Sequence, residues 1–255
     1  MTPEDAARIL YDAGAKGVHY PEALKGQLDI EAAYRTQQAM LALHQSAGDD
    51  QAGWKIGFTA PAVRKHFHSD SPVFGYLLAN RGFSSGLSFS FADVINPAIE
   101  SELCFTLAKP LKGPGVTPGQ VVEAIASVAP AYEIIEGRGD MAADLPLGIA
   151  DDVLQWGWVT GPEVRPYPRD LVLGQVRAEI LRNSTVEADV LGKDVIDDQL
   201  ESIAWLANRL AAFGGSLKVG HRILSGSFSP PLPISRGDRW ETRFSGVGSV
   251  AARFD

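Results

Sequence analysis

The stretches Ile99-Glu100-Ser101-Glu102-Leu103-Cys104-Phe105 and Ala131-Tyr132-Glu133-Ile134-Ile135 carry most of the information about the fold, and Glu133 lies 31 positions after Glu102. Side chains alternate along a β-strand, so Glu100 and Glu102 point to one face while the apolar side chains of the first stretch point to the other. Two adjacent carboxylates repel each other, and a buried or half-buried pair of this kind needs a cation. The two stretches therefore predict neighbouring core strands with an acidic site.

Between the two stretches, Thr117-Pro118-Gly119-Gln120 has the spacing of a helix-capping box. A strand, helix and strand in this order can return the chain beside itself and bring Glu133 to Glu100 and Glu102. A set of carboxylates alone suits Mg²⁺ or Mn²⁺ better than Zn²⁺. The alternative is a solvated strand face, although the neighbouring side chains are strongly apolar. Glu136 falls on the opposite face from Glu133, and we expect it to pair with Arg138.

The composition indicates a globular protein of ordinary type. The chain has 255 residues, of which 45% are hydrophobic and 21% charged. No apolar run is long enough to span a bilayer, the N-terminus does not resemble a signal peptide, and the single cysteine cannot form an internal disulfide. The net charge of −8 comes without a cluster of Lys and Arg. We therefore expect a cytoplasmic protein that binds neither nucleic acid nor membrane.

The sequence predicts an α+β fold in two parts, a helical N-terminal segment over 1–50 and a mainly β catalytic domain over 51–255. Helix-forming residues with helical spacing cover 3–15 and 30–47, and a later helix covers 197–213. Short β-rich runs broken by Gly and Pro follow the first two helices. The predicted strands are 53–59, 75–79, 99–108, 130–136, 154–160, 171–181 and 247–254.

Two further segments carry candidate binding groups. Lys55 lies between Gly53 and Gly57 on an otherwise apolar strand. It is either a strand-edge lysine that reaches water or a lysine held near the metal for a substrate carboxylate or enolate. Ser225 and Gly226 begin a hydroxyl-rich segment, which is either only a turn or a nest of backbone amides for a carboxylate.

Several motifs together resemble the family of 2-oxopent-4-enoate hydratases and 4-oxalocrotonate decarboxylases, which has the fumarylacetoacetate hydrolase-like fold. The similarity covers nearly the whole chain, and it implies that Glu100, Glu102 and Glu133 are the metal ligands and that Lys55 is the family's lysine. The motifs are Ala33-Tyr34-Arg35-Thr36-Gln37, 53–59, Phe74-Gly75-Tyr76-Leu77, 96–102, 130–135, 202–208, Ile223-Leu224-Ser225-Gly226 and Gly248-Ser249-Val250.

The resemblance implies that Mg²⁺ or Mn²⁺ chelates the 2-oxo and carboxylate oxygens of a small-molecule 2-oxo acid from aromatic catabolism. Hydration and decarboxylation in this family share a dienolate, whose negative charge a cation stabilises. The family also implies a homo-oligomer and association with a hydratase or decarboxylase of the same pathway.

Two departures from the family pattern shape the prediction. Family hydratases carry an acid/base aspartate where this chain has Val73, and decarboxylation needs no base to activate water. The family's Ala-Asp-Asn-(Ala/Gly)-Ser-Ser stretch is here Ala150-Asp151-Asp152-Val153-Leu154-Gln155. Asp151 keeps its match and is a candidate catalytic residue, while Asp152 and Gln155 would make a more acidic substrate pocket of different shape. We also expect Ser225 and Gly226 to bind substrate.

The main hypothesis is a metal-dependent lyase that decarboxylates a 2-oxohex-3-enedioate-like substrate. A second hypothesis is a 2-hydroxypenta-2,4-dienoate hydratase in which Asp151, Asp152 or a metal-bound water replaces the missing aspartate. A third, of another class, is a catalytically silent subunit that binds a 2-oxo acid and supports an active partner.

Overall fold

The structure is a computed structural model that describes all 255 residues. It has seven α-helices, and the predicted capping box at Thr117 is confirmed at the start of the fourth. Thr2 caps the first helix in the same way. The helices are α1 Pro3–Gly14, α2 Ile30–Ser46, α3 Pro61–His66, α4 Pro118–Ala124, α5 Leu145–Ala150, α6 Gly192–Val195 and α7 Gln199–Ala211. None of them combines the length and apolar character needed to cross a lipid bilayer.

Thirteen strands form two sheets. The larger sheet has the order β2-β1-β10-β5-β6-β7-β3, with β11 paired to β5, and the smaller has the order β4-β13-β12-β8-β9. The strands are β1 Gln51–Gly57, β2 Val73–Leu78, β3 Gly82–Ser84, β4 Ser88–Phe89, β5 Pro97–Leu107, β6 Ile125–Glu136, β7 Gln155–Thr160, β8 Arg177–Arg182, β9 Thr185–Leu191, β10 Arg222–Ser227, β11 Leu232–Pro233, β12 Asp238–Phe244 and β13 Gly248–Phe254. The mixed α and β architecture with helices at the N-terminus is the one predicted.

The two sheets pack against each other near the centre of β5 and β6. The hydroxyl of Thr242 on β12 lies 2.9 Å from the Ser101 hydroxyl on β5. It also accepts a 3.0 Å hydrogen bond from Tyr132 on β6. All three side chains are buried, and pairing their hydroxyls satisfies polar groups that would otherwise be costly in the core. These contacts fix β5 and β6 from behind, so that their other face is free to form a site.

The N-terminal helices join the main hydrophobic core. Tyr34 of α2 stacks on Phe74 of β2, with ring centroids 4.3 Å apart. The buried Gln37 donates to the carbonyls of Phe74 and Ile149, at 2.9 and 2.8 Å, and so ties α2 to β2 and α5. The division at residue 50 stays a prediction.

The predicted strand over 171–181 differs from the observed structure. Its first part is irregular with a short 3₁₀ turn, Leu173–Gln175, and only β8 is a strand. Strands β9, β10 and β12 lie outside every predicted run. β12 alternates buried and exposed residues, and its hydrophilic exposed face gives it a weak apolar signal. β9 has no fully buried residue.

Candidate metal centre

Three glutamates meet at the middle of the larger sheet because β5 and β6 are antiparallel neighbours. In the register of these strands Glu100 lies directly opposite Glu133. Glu102, two residues further along β5, lies opposite Ala131. One oxygen of each carboxylate lies within 4.8 Å of the others. Glu102 and Glu133 are each only 1% exposed, and Glu100 is partly exposed. The three side chains predicted from strand parity therefore form one cluster.

Two neighbours contact the glutamates. The Lys55 ammonium on β1 lies 2.9 Å from Glu133 Oε1 and donates to the Val153 carbonyl at 3.1 Å. The backbone N–H of Gly226 donates to Glu102 Oε2 at 2.8 Å. Gly226 has a φ of +115°, and a Cβ there would lie 2.3 Å from the Thr59 hydroxyl, so glycine is required at this position. We call Lys55, Glu100, Glu102 and Glu133 the metal-ligand cluster, after the role predicted for the three glutamates.

The cluster has more negative than positive charge. Burial raises the pKa of Glu100 to about 8, and repulsion by Glu133 adds to this. Burial likewise raises the pKa values of Glu102 and Glu133. Burial pulls the pKa of the Lys55 ammonium down, but the attraction of Glu133 and Glu100 outweighs it, so the net pKa is raised. One ammonium cannot balance three carboxylates, and this donor set of oxygens alone fits a hard divalent cation.

A cavity of about 540 Å³ opens beside the metal-ligand cluster. Lys55, Glu100 and Glu102 line it at the sheet, and α3, the loop over 139–142 and the segment over 229–231 complete its wall. Glu133 does not line it. The cavity is large enough for a small organic acid, and most of its wall is apolar.

The turn that follows α5 borders this cavity and has an unusual backbone. Asp152, Val153 and Leu154 have φ values of +56°, +50° and +62°, which place three consecutive side-chain-bearing residues in the left-handed region. Such a conformation is costly, particularly for a β-branched valine. It points the Val153 carbonyl at Lys55 and places both Val153 and Leu154 in the cavity wall.

The carboxylate of Asp152 is buried on the other side of this turn. It accepts a 2.7 Å hydrogen bond from the Tyr76 N–H. A Cβ at Gly75 would lie 2.7 Å from its Oδ1 and 3.2 Å from Lys55 Cε, so Gly75 separates the two charged groups. Burial raises the pKa of Asp152 well above its usual value. Asp152 is thus close to Lys55 but does not line the cavity.

Three other predicted site residues lie away from the cavity. The Asp151 carboxylate accepts from Arg138 Nε at 2.8 Å. Gln155 borders a second cavity, of about 360 Å³, which is also lined by residues of α1 and α2. Ser225 Oγ donates to the Leu103 carbonyl at 3.1 Å and accepts from Gln199 of α7 at 2.8 Å. The structure thus brings Lys55, the glutamates and Gly226 together, but not Asp151, Gln155 or Ser225.

Arg138 has a larger structural role than the predicted pairing with Glu136, which is confirmed at 3.0 Å. Its guanidinium also donates to the carbonyls of Asp151 and Gln155, at 2.7 and 3.1 Å. It therefore holds the left-handed turn from the side opposite Lys55. The neighbouring Gly139 packs closely on Tyr20, since a Cβ at this position would lie 2.4 Å from the Tyr20 ring.

Val73 lies at the start of β2 and is only 2% exposed. Val73 does not line the cavity, but it packs directly behind Gly57, which does. A Cβ added at Gly57 would lie 3.1 Å from Val73 Cγ2. The carboxylates that line the cavity are those of Glu100, Glu102 and Asp140. The cavity wall therefore has no buried acid/base carboxylate in addition to the two glutamates.

Known proteins resemble the chain over nearly its full length, although no protein-family model matches it. 2-Hydroxyhexa-2,4-dienoate hydratase of Comamonas testosteroni is 34% identical, over 89% of this chain and 87% of the relative. 2-Oxo-hept-4-ene-1,7-dioate hydratase of Escherichia coli is 34% identical, over 94% and 90%. 4-Oxalocrotonate decarboxylase of Pseudomonas sp. (strain CF600) is 30% identical, over 87% and 84%.

Solved structures show the same fold. 4-Oxalocrotonate decarboxylase from Pseudomonas putida G7, complexed with magnesium and adipate, has a TM-score of 0.92 and 26% identity, over 99% of this chain and 97% of that one. Fumarylpyruvate hydrolase from Pseudomonas aeruginosa, in complex with Mn²⁺ and pyruvate, has a TM-score of 0.60 over 80% of this chain and 93% of that one. At 16% identity the latter supports the fold alone.

Proposed function

Since the chain belongs to the family of 2-oxopent-4-enoate hydratases and 4-oxalocrotonate decarboxylases, we propose that it is a divalent-metal-dependent lyase acting on an unsaturated 2-oxo acid of aromatic catabolism. The observation that carries the proposal is the set of three carboxylates, two buried and one partly exposed, that face one ammonium at the edge of a cavity. Burying this set without a cation would be unfavourable. Glu100, Glu102 and Glu133 would hold Mg²⁺ or Mn²⁺.

When bound, the metal ion supplies positive charge where the 2-oxo oxygen of the substrate becomes negative. Lys55 adds a second positive charge on the same side of the cavity. The raised pKa of its ammonium keeps it protonated at neutral pH, so it can donate to a substrate carboxylate or enolate oxygen. The Val153 carbonyl accepts from Lys55 and holds its Nζ in place.

Decarboxylation of 2-oxohex-3-enedioate is the reaction that we favour. The bond between C5 and C6 breaks, and its electron pair forms a C4–C5 double bond. The C3–C4 double bond moves to C2–C3, and the 2-oxo oxygen takes the negative charge. Protonation of that oxygen gives 2-hydroxypenta-2,4-dienoate and carbon dioxide. No water has to be activated in this reaction. This agrees with the apolar Val73 at the position of the family hydratases' acid/base aspartate, and with a cavity wall that has no further buried carboxylate.

Hydration of 2-hydroxypenta-2,4-dienoate is the second candidate. The observation that favours it is the position of Asp152 beside Lys55, where its raised pKa keeps a proton available near the ammonium. Lys55 would then donate a proton to the substrate, and Asp152 would return a proton to Lys55. Asp151 is less suited to this role because Arg138 binds its carboxylate.

Proton NMR with Mg²⁺ or Mn²⁺ and the two substrates in parallel tests the proposal. Metal-dependent conversion of the diacid to the five-carbon dienol would support decarboxylation, and conversion of the dienoate to a 4-hydroxy-2-oxo acid would support hydration. Binding of Mg²⁺ and oxalate without turnover of either compound would contradict both and favour a silent subunit that supports a partner.

A further inference from the structure

The cavity contains a single cationic side chain. Among the residues that line it, only Lys55 carries a positive charge, and that charge already faces Glu133. The other charged residues of the wall are Glu100, Glu102 and Asp140. A 2-oxo acid that uses Lys55 and the metal ligands for its first carboxylate would find no second cation for another one.

The basic residues nearest to the cavity are engaged elsewhere or point outward. Arg64 of α3 donates to the Phe58 carbonyl at 2.8 Å and to Asp197 at 2.9 Å. Lys65 and His66, on the same helix, are exposed and do not line the cavity. Arg138 is bound by Glu136 and Asp151. None of these basic side chains lines the cavity.

Most of the wall beyond the metal-ligand cluster is apolar, and its polar side chains are those of Thr59, Asp140, Ser227 and Ser229. We define the tail wall as Phe58, Val63, Phe67, Met141 and Leu154, which all line the cavity. The rings of Phe58 and Phe67 stack with centroids 4.5 Å apart and give the wall a firm aromatic surface. A chain of methylene or vinyl carbons gains from contact with such a surface, whereas an unpaired carboxylate loses its hydration there.

Asp140 adds a repulsive element. Asp140 is solvent-exposed, and its carboxylate accepts from the N–H groups of Ala142 and Ala143, at 3.0 and 3.1 Å, which orients it at the rim of the cavity. A second substrate carboxylate in the cavity would meet this charge in addition to an apolar surface. Selection against a ligand by such repulsion is a common source of specificity.

We propose that the tail wall selects an uncharged chain, so that the site binds a 2-oxo acid with an apolar tail more tightly than a diacid of the same length. The inference rests on the proposed function in placing the 2-oxo acid head at Lys55 and the glutamates. If the reaction is decarboxylation, the carboxylate that leaves has no cation beside it. The neutral carbon dioxide that forms then contacts the apolar tail wall more favourably than the charged carboxylate does. In the hydration reading, the preferred substrate carries an alkyl tail.

Two unreactive six-carbon ligands test this preference by isothermal titration calorimetry with Mg²⁺. We expect 2-oxohexanoate, which has one carboxylate, to bind at least about tenfold more tightly than 2-oxoadipate, which has two. Equal affinities, or tighter binding of 2-oxoadipate, would overturn the inference.

A variant of the tail wall provides a second measurement. Val63 is 37% exposed on α3, so a longer side chain fits without disturbing the core. We expect Val63→Lys to reverse the order of the two ligands, because it supplies the missing cation, and Val63→Met, which has a long neutral side chain, to keep it. Failure of Val63→Lys to improve 2-oxoadipate binding relative to Val63→Met would count against the inference.

The outcome can be separated from that of the proposed function. If neither substrate is turned over but 2-oxohexanoate still binds more tightly, the selectivity of the tail wall stands and the lyase assignment fails. If the diacid is decarboxylated and 2-oxoadipate binds more tightly, the assignment stands and the selectivity fails.

Discussion

Two groups of buried charge lie close together in this molecule and are built differently. In the metal-ligand cluster, three carboxylates face one ammonium. In the second group, which we call the arginine cluster, Arg138 binds Glu136 and Asp151 and also donates to two backbone carbonyls. Glu133 and Glu136 are three positions apart on β6, so they belong to opposite faces of the strand.

The difference shows how a site can be distinguished from structural charge. A guanidinium that makes four hydrogen bonds, to two carboxylates and two backbone carbonyls, is a self-contained unit that joins β6 to the turn over 151–155. The metal-ligand cluster lacks positive charge, and its carboxylate pKa values are raised by burial. Buried charge without enough counter-charge indicates a site for a ligand, whereas balanced buried charge indicates a structural role.

The largest expected effect is on turnover. Glu102→Gln removes one negative oxygen from the metal-ligand cluster while keeping the size of the side chain. We expect metal-dependent turnover to fall at least about a thousandfold, because the charge that holds the cation is lost. The assay is substrate conversion at saturating Mg²⁺, with circular dichroism to verify folding. Glu123→Gln, an exposed change outside the cavity, is the control. Unchanged turnover in folded Glu102→Gln protein would refute the site.

The next effect is on stability. Arg138→Met leaves the carboxylates of Glu136 and Asp151 buried without their cation. We expect the free energy of unfolding to fall by about 3–5 kcal/mol, measured by urea denaturation in EDTA. Arg169→Met, at an exposed ion pair with Glu123, should cost less than about 1 kcal/mol. Equal losses in the two variants would mean that the arginine cluster is not a structural unit.

Removal of the metal should have a smaller effect. At a Mg²⁺ concentration of 100 times Kd, binding to the folded state alone stabilises it by about 2.7 kcal/mol. We expect a melting temperature roughly 5–10 °C higher in Mg²⁺ than in EDTA. Glu102→Gln should lose this shift and Arg138→Met should keep it. If Arg138→Met loses the Mg²⁺-induced rise in melting temperature and Glu102→Gln keeps it, the metal binds at the arginine cluster and not at the metal-ligand cluster.

The smallest effect concerns a group that is buried in neutral form. Burial lowers the pKa of His221 from 6.5 to about 4, and the nearby Lys218 charge adds to this. The unfolded chain therefore takes up a proton on this residue before the folded protein does, and stability is lost as pH falls from about 6.5 towards 4. We expect His221→Gln to reduce the loss between pH 7 and pH 5 by on the order of 1 kcal/mol, measured by urea denaturation. A variant with the same pH dependence as the parent would contradict the assignment.

The sequence was sufficient to predict the metal-ligand cluster because its members depend on local rules. Strand parity places Glu100 and Glu102 on one face, and a strand-helix-strand unit places Glu133 opposite them. Lys55 was also identified, since a lysine on an apolar strand between glycines is unusual. That these residues bind a metal and substrate is a prediction, which the Glu102→Gln variant tests.

The residues around the turn could not be located in this way. The direction of Asp151, Asp152 and Gln155 depends on three consecutive left-handed residues, and neither Val153 nor Leu154 signals that conformation in sequence. Their partners, Tyr76 and Arg138, are distant along the chain. Ser225 likewise alternates away from the cavity because Gln199 of α7 and Leu103 lie on its side of β10.

The tail wall has a consequence for the evolution of this protein. Its residues come from α3 and from loops, whereas the metal-ligand cluster comes from the strands β1, β5 and β6. Substitutions that change which tail is accepted therefore need not disturb the strand register on which the chemistry depends. Lineages can diverge in substrate by exchanging a few side chains on α3 and the loop over 139–142, while the reaction at the glutamates is inherited unchanged.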